Sequence, residues 1–178
     1  MSIHSKRCLV LALLTVTACK PAGPPASESA RKAVDDFYAW YVPMQHDTPM
    51  ASMRAIRERR TSFGADLAAA LRADSAASSQ SPGEVVGLDG DPFLNSQDPC
   101  EHYATTGVAE VGSRFLVQVV GSGKCEAHTN ADVTVEVTPA NGRLLFTNFV
   151  YSARDKDDLI ATLADLATAR KSSRPKSP

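Results

Sequence analysis

A chain of 178 residues that is 43% hydrophobic and 22% charged has room for one domain, at most two, and is neither disordered nor fibrous in bulk. Its 19 Lys+Arg against 20 Asp+Glu give a formal charge of -1, which excludes the basic excess of a dedicated nucleic-acid binder. No internal repeat stands out, and no apolar run reaches the roughly 18 residues that a spanning helix needs.

Residues 1–18 read as a secretory signal. His4, Lys6 and Arg7 supply a basic n-region, and Cys8 to Leu14 form a short apolar h-region. The run ends Val16-Thr17-Ala18-Cys19, which resembles the bacterial lipobox. Small residues suit the narrow subsites of the peptidase, and the thiol is the nucleophile that takes the lipid. Cys19 is therefore the expected lipidation site, and a lipid there would hold the chain to a membrane of the bacterial cell envelope. Lys20 follows, where Asp would signal inner-membrane retention, so the expected location is the periplasmic face of the outer membrane. Cleavage removes Lys6 and Arg7 and no acidic residue, so 17 Lys+Arg then face 20 Asp+Glu and the charge becomes -3.

Residues 19–29 are rich in Pro, Ala and Ser and read as an extended tether. At ~3.1 Å per residue such a segment spans roughly 30 Å. Residues 171–178 are polar and broken by Pro, a frayed tail. Between them, residues 30–170 are expected to form a single domain.

The domain begins with helical periodicity. Val34, Phe37, Tyr38 and Tyr41 make one apolar stripe over Ser29 to Tyr41, and Pro43 is expected to end that helix. Two further helices are expected near Met50–Arg59 and Ser62–Ala76, followed by a polar loop punctuated by Pro82-Gly83. After residue 104 the period becomes alternating. Strands are expected over Thr105–Val111, Arg114–Gly121, Asp132–Thr138 and Leu144–Ser152. Gly112-Ser113 fits a type II′ hairpin turn, and Asn141-Gly142 a type I′ turn. A last helix is expected from about Asp155 to Arg170, acidic at its start and basic at its end, as the macrodipole favours. The fold class is α+β: N-terminal helices packed on a curved four-stranded antiparallel sheet of two hairpins, plus a C-terminal helix.

An uninterrupted ladder from the Gly112-Ser113 turn places Cys100 opposite Cys125, with Cα atoms ~4.5–5.5 Å apart. In an oxidising compartment such a pair is expected to be a disulfide. A metal site is the competing reading, because Cys100-Glu-His102 and Cys125-Glu-Ala-His128 gather two thiols and two imidazoles, although the spacing matches no standard zinc motif. Free thiols are the third reading. The same ladder logic across Asn141-Gly142 sets Val137 opposite Phe146 and Val133 opposite Val150 on an apolar face. It leaves Phe149 and Tyr151 on a polar face, either as an interaction surface or covered by another element.

Val34-Asp-Asp-Phe-Tyr-Ala-Trp-Tyr41, Gly87-Leu-Asp-Gly-Asp-Pro-Phe93 with Ser96-Gln-Asp98, and hairpins ending Asn148-Phe-Val-Tyr151 resemble a bacterial lipoprotein family, domain of unknown function 3828. The resemblance covers roughly residues 30–152. It implies a small α+β unit similar to cystatin or nuclear-transport-factor-like domains, and it brings no established activity. The chain departs from the family pattern at Pro99-Cys100, where members commonly continue to an aromatic residue.

No hydrolase, nucleotide-binding or zinc-protease motif is present, and nothing asks for a cofactor. Asp89, Asp91, Gln97 and Asp98 form the richest polar cluster. They suit a turn whose Asp side chains order local N–H groups, with a calcium site or acid–base pair as lesser readings. What remains is a lipid-tethered, non-catalytic binding module. The leading expectation is an immunity protein or inhibitor of a secreted effector or peptidoglycan hydrolase that attacks the cell wall. Phe149 and Tyr151 are the expected anchors, and Asp89, Asp91 and Glu101 the acidic rim. The alternative is a small ligand held in the concave face of the sheet.

Overall fold

The computed structural model describes residues 26–45, 51–80, 87–125, 131–151 and 157–173. The lipobox and Cys19, and with them His46 and His128, lie outside the described residues. The fold is α+β, in the expected order. Helices α1 (Ala26–Gln45), α2 (Ala51–Glu58) and α3 (Ala65–Ser79) precede strands β1 (His102–Val111), β2 (Arg114–Ser122), β3 (Val133–Ala140) and β4 (Arg143–Val150). Helix α4 (Leu159–Ser173) closes the described chain. The sheet is antiparallel throughout, with strand order β1-β2-β3-β4.

Both hairpin turns have the backbone their residues dictate. Asn141 and Gly142 have φ of 51° and 72°, both left-handed, as a type I′ turn requires. In the other turn Gly112 has φ 62° while Ser113 does not enter that region, which is the type II′ pattern.

Several boundaries differ from expectation. Helix α1 begins at Ala26, inside the segment read as tether, because Ala and Glu28 favour a first turn and Ala30 is then fully buried. It also runs past Pro43, which costs only the bond to the carbonyl of Ala39, an exposed residue, while Val42 and Met44 are buried. Before α3 the chain makes a short 3₁₀ turn at Arg60–Ser62. Gly64 N–H then bonds Phe146 O at 2.9 Å, covering part of the free edge of β4. At α4 the expected acidic start becomes a cap, in which Asp158 Oδ1 accepts from Ala161 N–H at 2.9 Å.

The larger correction is in register. Each hairpin carries one extra residue, Thr106 in β1 and Thr147 in β4. Such a bulge shifts every later side chain to the other face. Phe149 therefore pairs with Val135 rather than lying on the polar face, and Val150 pairs with Thr134. Phe146 and Phe149 both enter the core, at 3% and 0% exposure. The inner face of the sheet is filled by Phe115, Val117, Val119, Val133, Val135 and Val137 together with those two rings. Phe37 of α1 sits against Phe63, Phe146 and Phe149, with centroids 5.8, 5.1 and 6.4 Å away. The inner face of the sheet is thus packed as the protein's own core.

Candidate functional site

The segment Leu88–Pro99, between α3 and β1, carries the acidic motif. Its central turn is closed by Asp91 N–H to Ser96 O and Asn95 N–H to Asp91 O, each 2.9 Å, with Asn95 at φ 50°. Asp91 organises this turn from within. Its Oδ1 accepts from the N–H groups of Phe93 and Leu94 at 2.8 and 3.0 Å. Its Oδ2 accepts from the Tyr41 hydroxyl at 2.5 Å and from the Gln45 amide. Burial raises the Asp91 carboxyl above its ordinary range, and these bonds offset only part of that effect.

The loop is fastened at three further points. Phe93, fully buried, inserts its ring 4.8 Å from Phe149 and 5.2 Å from Tyr41. Tyr38 donates to Phe93 O and Tyr151 to Pro92 O, both at 2.7 Å. Burial, and then the nearby Asp91 charge, hold all three tyrosine hydroxyls well above their usual titration range, so they remain donors. Leu88 N–H bonds Asp74 Oδ2 at 3.2 Å on the α3 side.

What this frame presents outward is Asp89, Gly90, Asn95, Gln97 and Asp98, all exposed. Gln97 Nε2 donates to Asp89 Oδ2 at 2.9 Å. Two shallow clefts flank the loop. One, about 280 Å³, lies between it and the start of α4, with Tyr151, Asp157 and Thr162 in its wall. The other, about 370 Å³, lies against Gln45 and the N-terminal residues Ala51 and Ser52 of α2.

The expected site residues therefore divide. Asp89 is on the exposed loop. Asp91 is in the same loop but acts internally, as the ordering carboxylate that Asp-Gly-Asp-Pro suggests. Tyr151 is half-buried and spends its hydroxyl on Pro92, so it is a strut that also walls a cleft rather than a free anchor. Phe149 is not at the surface at all, because the Thr147 bulge turns it inward. Glu101 lies just beyond Pro99-Cys100 and pairs with Lys124 at 2.8 Å. Asn95, Asp157 and Thr162, which sequence reasoning did not single out, line the same surface. Their places depend on α4 meeting the loop, a contact that no local signal announces.

Cys100 and Cys125 have Sγ atoms 1.99 Å apart and Cα atoms 5.0 Å apart, a disulfide. The bond uses both thiols, so the competing metal set loses its sulfur ligands. Among the described residues no helix is long and apolar enough to cross a membrane. No family model matches the chain, and neither does any curated protein or solved structure, so the resemblance noted above stands on its own residues.

Proposed function

We propose that the chain is a lipid-anchored, periplasm-facing binding protein. In this reading it neutralises a cell-wall-attacking effector or peptidoglycan hydrolase by seating the 88–98 loop against it. The observation that carries the reading is the fastening of that loop: an internal carboxylate, three tyrosine hydroxyls and a buried phenylalanine hold an otherwise irregular segment in one shape. A loop ordered before binding loses little entropy on association, which is what a tight inhibitor needs. The exposed Asp89 and Asp98 suit a basic partner and would speed its capture. The lipobox at Cys19 and the disulfide support a site of action outside the cytoplasm.

The test is calorimetric titration of the processed chain with secreted effectors and peptidoglycan hydrolases, taking first any that a neighbouring gene encodes. Asp89→Arg is expected to weaken binding at least tenfold, about 1.4 kcal/mol, with an unchanged melting temperature. Absence of binding to any such protein, or full affinity in the variant, sinks the loop reading. Metabolic palmitate labelling that is lost in Cys19→Ala supports the anchor, and equal incorporation in the variant rules it out.

A further inference from the structure

On the far side of the first two helices the charge reverses. Residues 51–60 hold Arg54, Arg57, Arg59 and Arg60 against the single acid Glu58, a local charge of +3, while the processed chain as a whole carries -3. Arg57 and Arg60 are exposed, and Arg54 and Arg59 are half-buried. Helix α2 buries Ala51, Ala55 and Ile56, so Met53, Arg54, Arg57 and Glu58 occupy its other side. The Arg57 side chain is 74% exposed, and Arg60 in the following turn is exposed as well. Glu58 bonds Arg54 at 2.8 Å and stands 3.9 Å from Arg57, so it offsets one charge of the group. Next to them the half-buried Trp40 of α1 lies under Arg59, whose guanidinium carbon is 4.4 Å from the ring centroid.

We propose that this arginine surface, with Trp40 at its edge, docks on the anionic phospholipid headgroups of the leaflet that carries the Cys19 anchor. It deepens the anchoring half of the reading above and depends on it for the choice of surface. Two arguments favour a membrane as occupant. Clustered arginines beside an indole are the side chains that gain most at a headgroup layer, where the ring rests at the interface and each cation meets phosphate. Chain length also permits the contact. Only residues 20–25 separate Cys19 from α1, at most ~25 Å of chain, and Trp40 lies ~21 Å along the helix from Ala26. The leaflet that holds the anchor therefore lies within reach of Trp40 and the arginines beside it. The acidic 88–98 loop meets α2 at its opposite, N-terminal end, and repulsion from the same leaflet lifts that end outward.

Trp40 is the single tryptophan, so its fluorescence reads this surface directly. The experiment uses the chain from Lys20 onward, without lipid, mixed with vesicles of brominated phosphatidylglycerol or of brominated phosphatidylcholine. Quenching by phosphatidylglycerol alone is expected, and it should disappear as salt shortens the Debye length from ~10 to ~3 Å. Arg57→Glu with Arg60→Glu should weaken the vesicle affinity at least tenfold, with Arg57→Gln and Arg60→Gln as a milder pair whose folding is checked by circular dichroism. Truncation after Ser173, which removes the basic tail, should leave the affinity unchanged. Equal quenching by both lipids, no quenching, or a loss that follows the tail instead of the arginines overturns the proposal. So does a double variant that binds vesicles normally while failing to bind the effector, since that outcome makes the surface a protein contact. Failure here leaves the Asp89 titration untouched, so the two readings fall separately.

Discussion

Tyr41 and Asp91, fifty positions apart, meet through a 2.5 Å hydrogen bond that ties α1 to the acidic loop. The carboxylate at the end of that bond also serves Gln45 and two backbone N–H groups. Asp91→Ala leaves several buried donors unpaired and is expected to cost about 3 kcal/mol or more in urea unfolding. The pH dependence has a definite sign. Burial raises the folded carboxyl above 3.8, so the folded chain holds this proton more tightly than the unfolded chain. Asp91 therefore favours folding most below pH 3.8, and that contribution is lost as the pH climbs through the raised value. Asp91→Asn cannot titrate. The stability advantage of the native chain over this variant should shrink as the pH climbs from below 3.8 through the raised value, and a flat or growing difference contradicts the account.

Tyr151 and Phe149 separate two roles that the alternating pattern gave equally. Phe149 has no exposed surface, and Phe149→Ala is expected to cost about 3–5 kcal/mol. Tyr151→Phe removes only the bond to Pro92 O and should cost about 1 kcal/mol, with the core intact. Thermal melts of the two variants check the ranking. An unchanged melting temperature for Phe149→Ala would return that ring to the surface.

The contrast between these residues shows where sequence reasoning stops. Strand order and both turns were legible, because Asn141-Gly142 and Gly112-Ser113 specify their backbones locally. The bulges at Thr106 and Thr147 were not. A threonine carries no mark of being the extra residue, and one unmarked insertion reverses the face of all that follows. The disulfide was found despite the Thr106 bulge, since a one-residue slip moves Cys125 only slightly from its facing position. In the loop, Asp-Gly-Asp-Pro announces a turn, but Tyr38, Tyr41 and Tyr151 come to it through packing of distant elements. The arginines of α2 were visible as residues, and only the burial of Ala51, Ala55 and Ile56 shows them as one surface.

Asp74 and Arg170 form an ion pair that closes the helical side of the domain. The carboxylate of α3 is 5% exposed as a residue, and Arg170 Nη1 stands 2.6 Å from its Oδ1. Sequence reading assigns Arg170 to the helix dipole alone; the structure gives it a specific partner. Arg170→Ala leaves Asp74 buried without this cation and should cost about 3–5 kcal/mol. Replacing both residues by apolar ones of similar size should restore part of the loss, because the charges are then absent rather than stranded, while Leu88 N–H loses its acceptor. Denaturant melts of the two single variants and the double variant test this. A double variant as unstable as the sum of the singles would mean the pair is not coupled.

The Cys100–Cys125 bond closes a loop with a sequence separation of 25 and should contribute about 3.5 kcal/mol by restricting the unfolded chain. Non-reducing peptide mapping is expected to recover the two cysteines on one linked fragment, and Cys100→Ser with Cys125→Ser to lower stability by about that amount. Gly121 provides an independent check. A Cβ placed there would lie 2.5 Å from Cys100 Sγ and 3.1 Å from its Cβ, so the strand passes the disulfide only because this residue has no side chain. Gly121→Ala should therefore destabilise the oxidised protein by about 1–3 kcal/mol. In the Cys100→Ser, Cys125→Ser background the freed side chain can turn away, and the same substitution should cost less. Equal costs in both backgrounds would show that the glycine is required by the strand itself and not by the bond beside it.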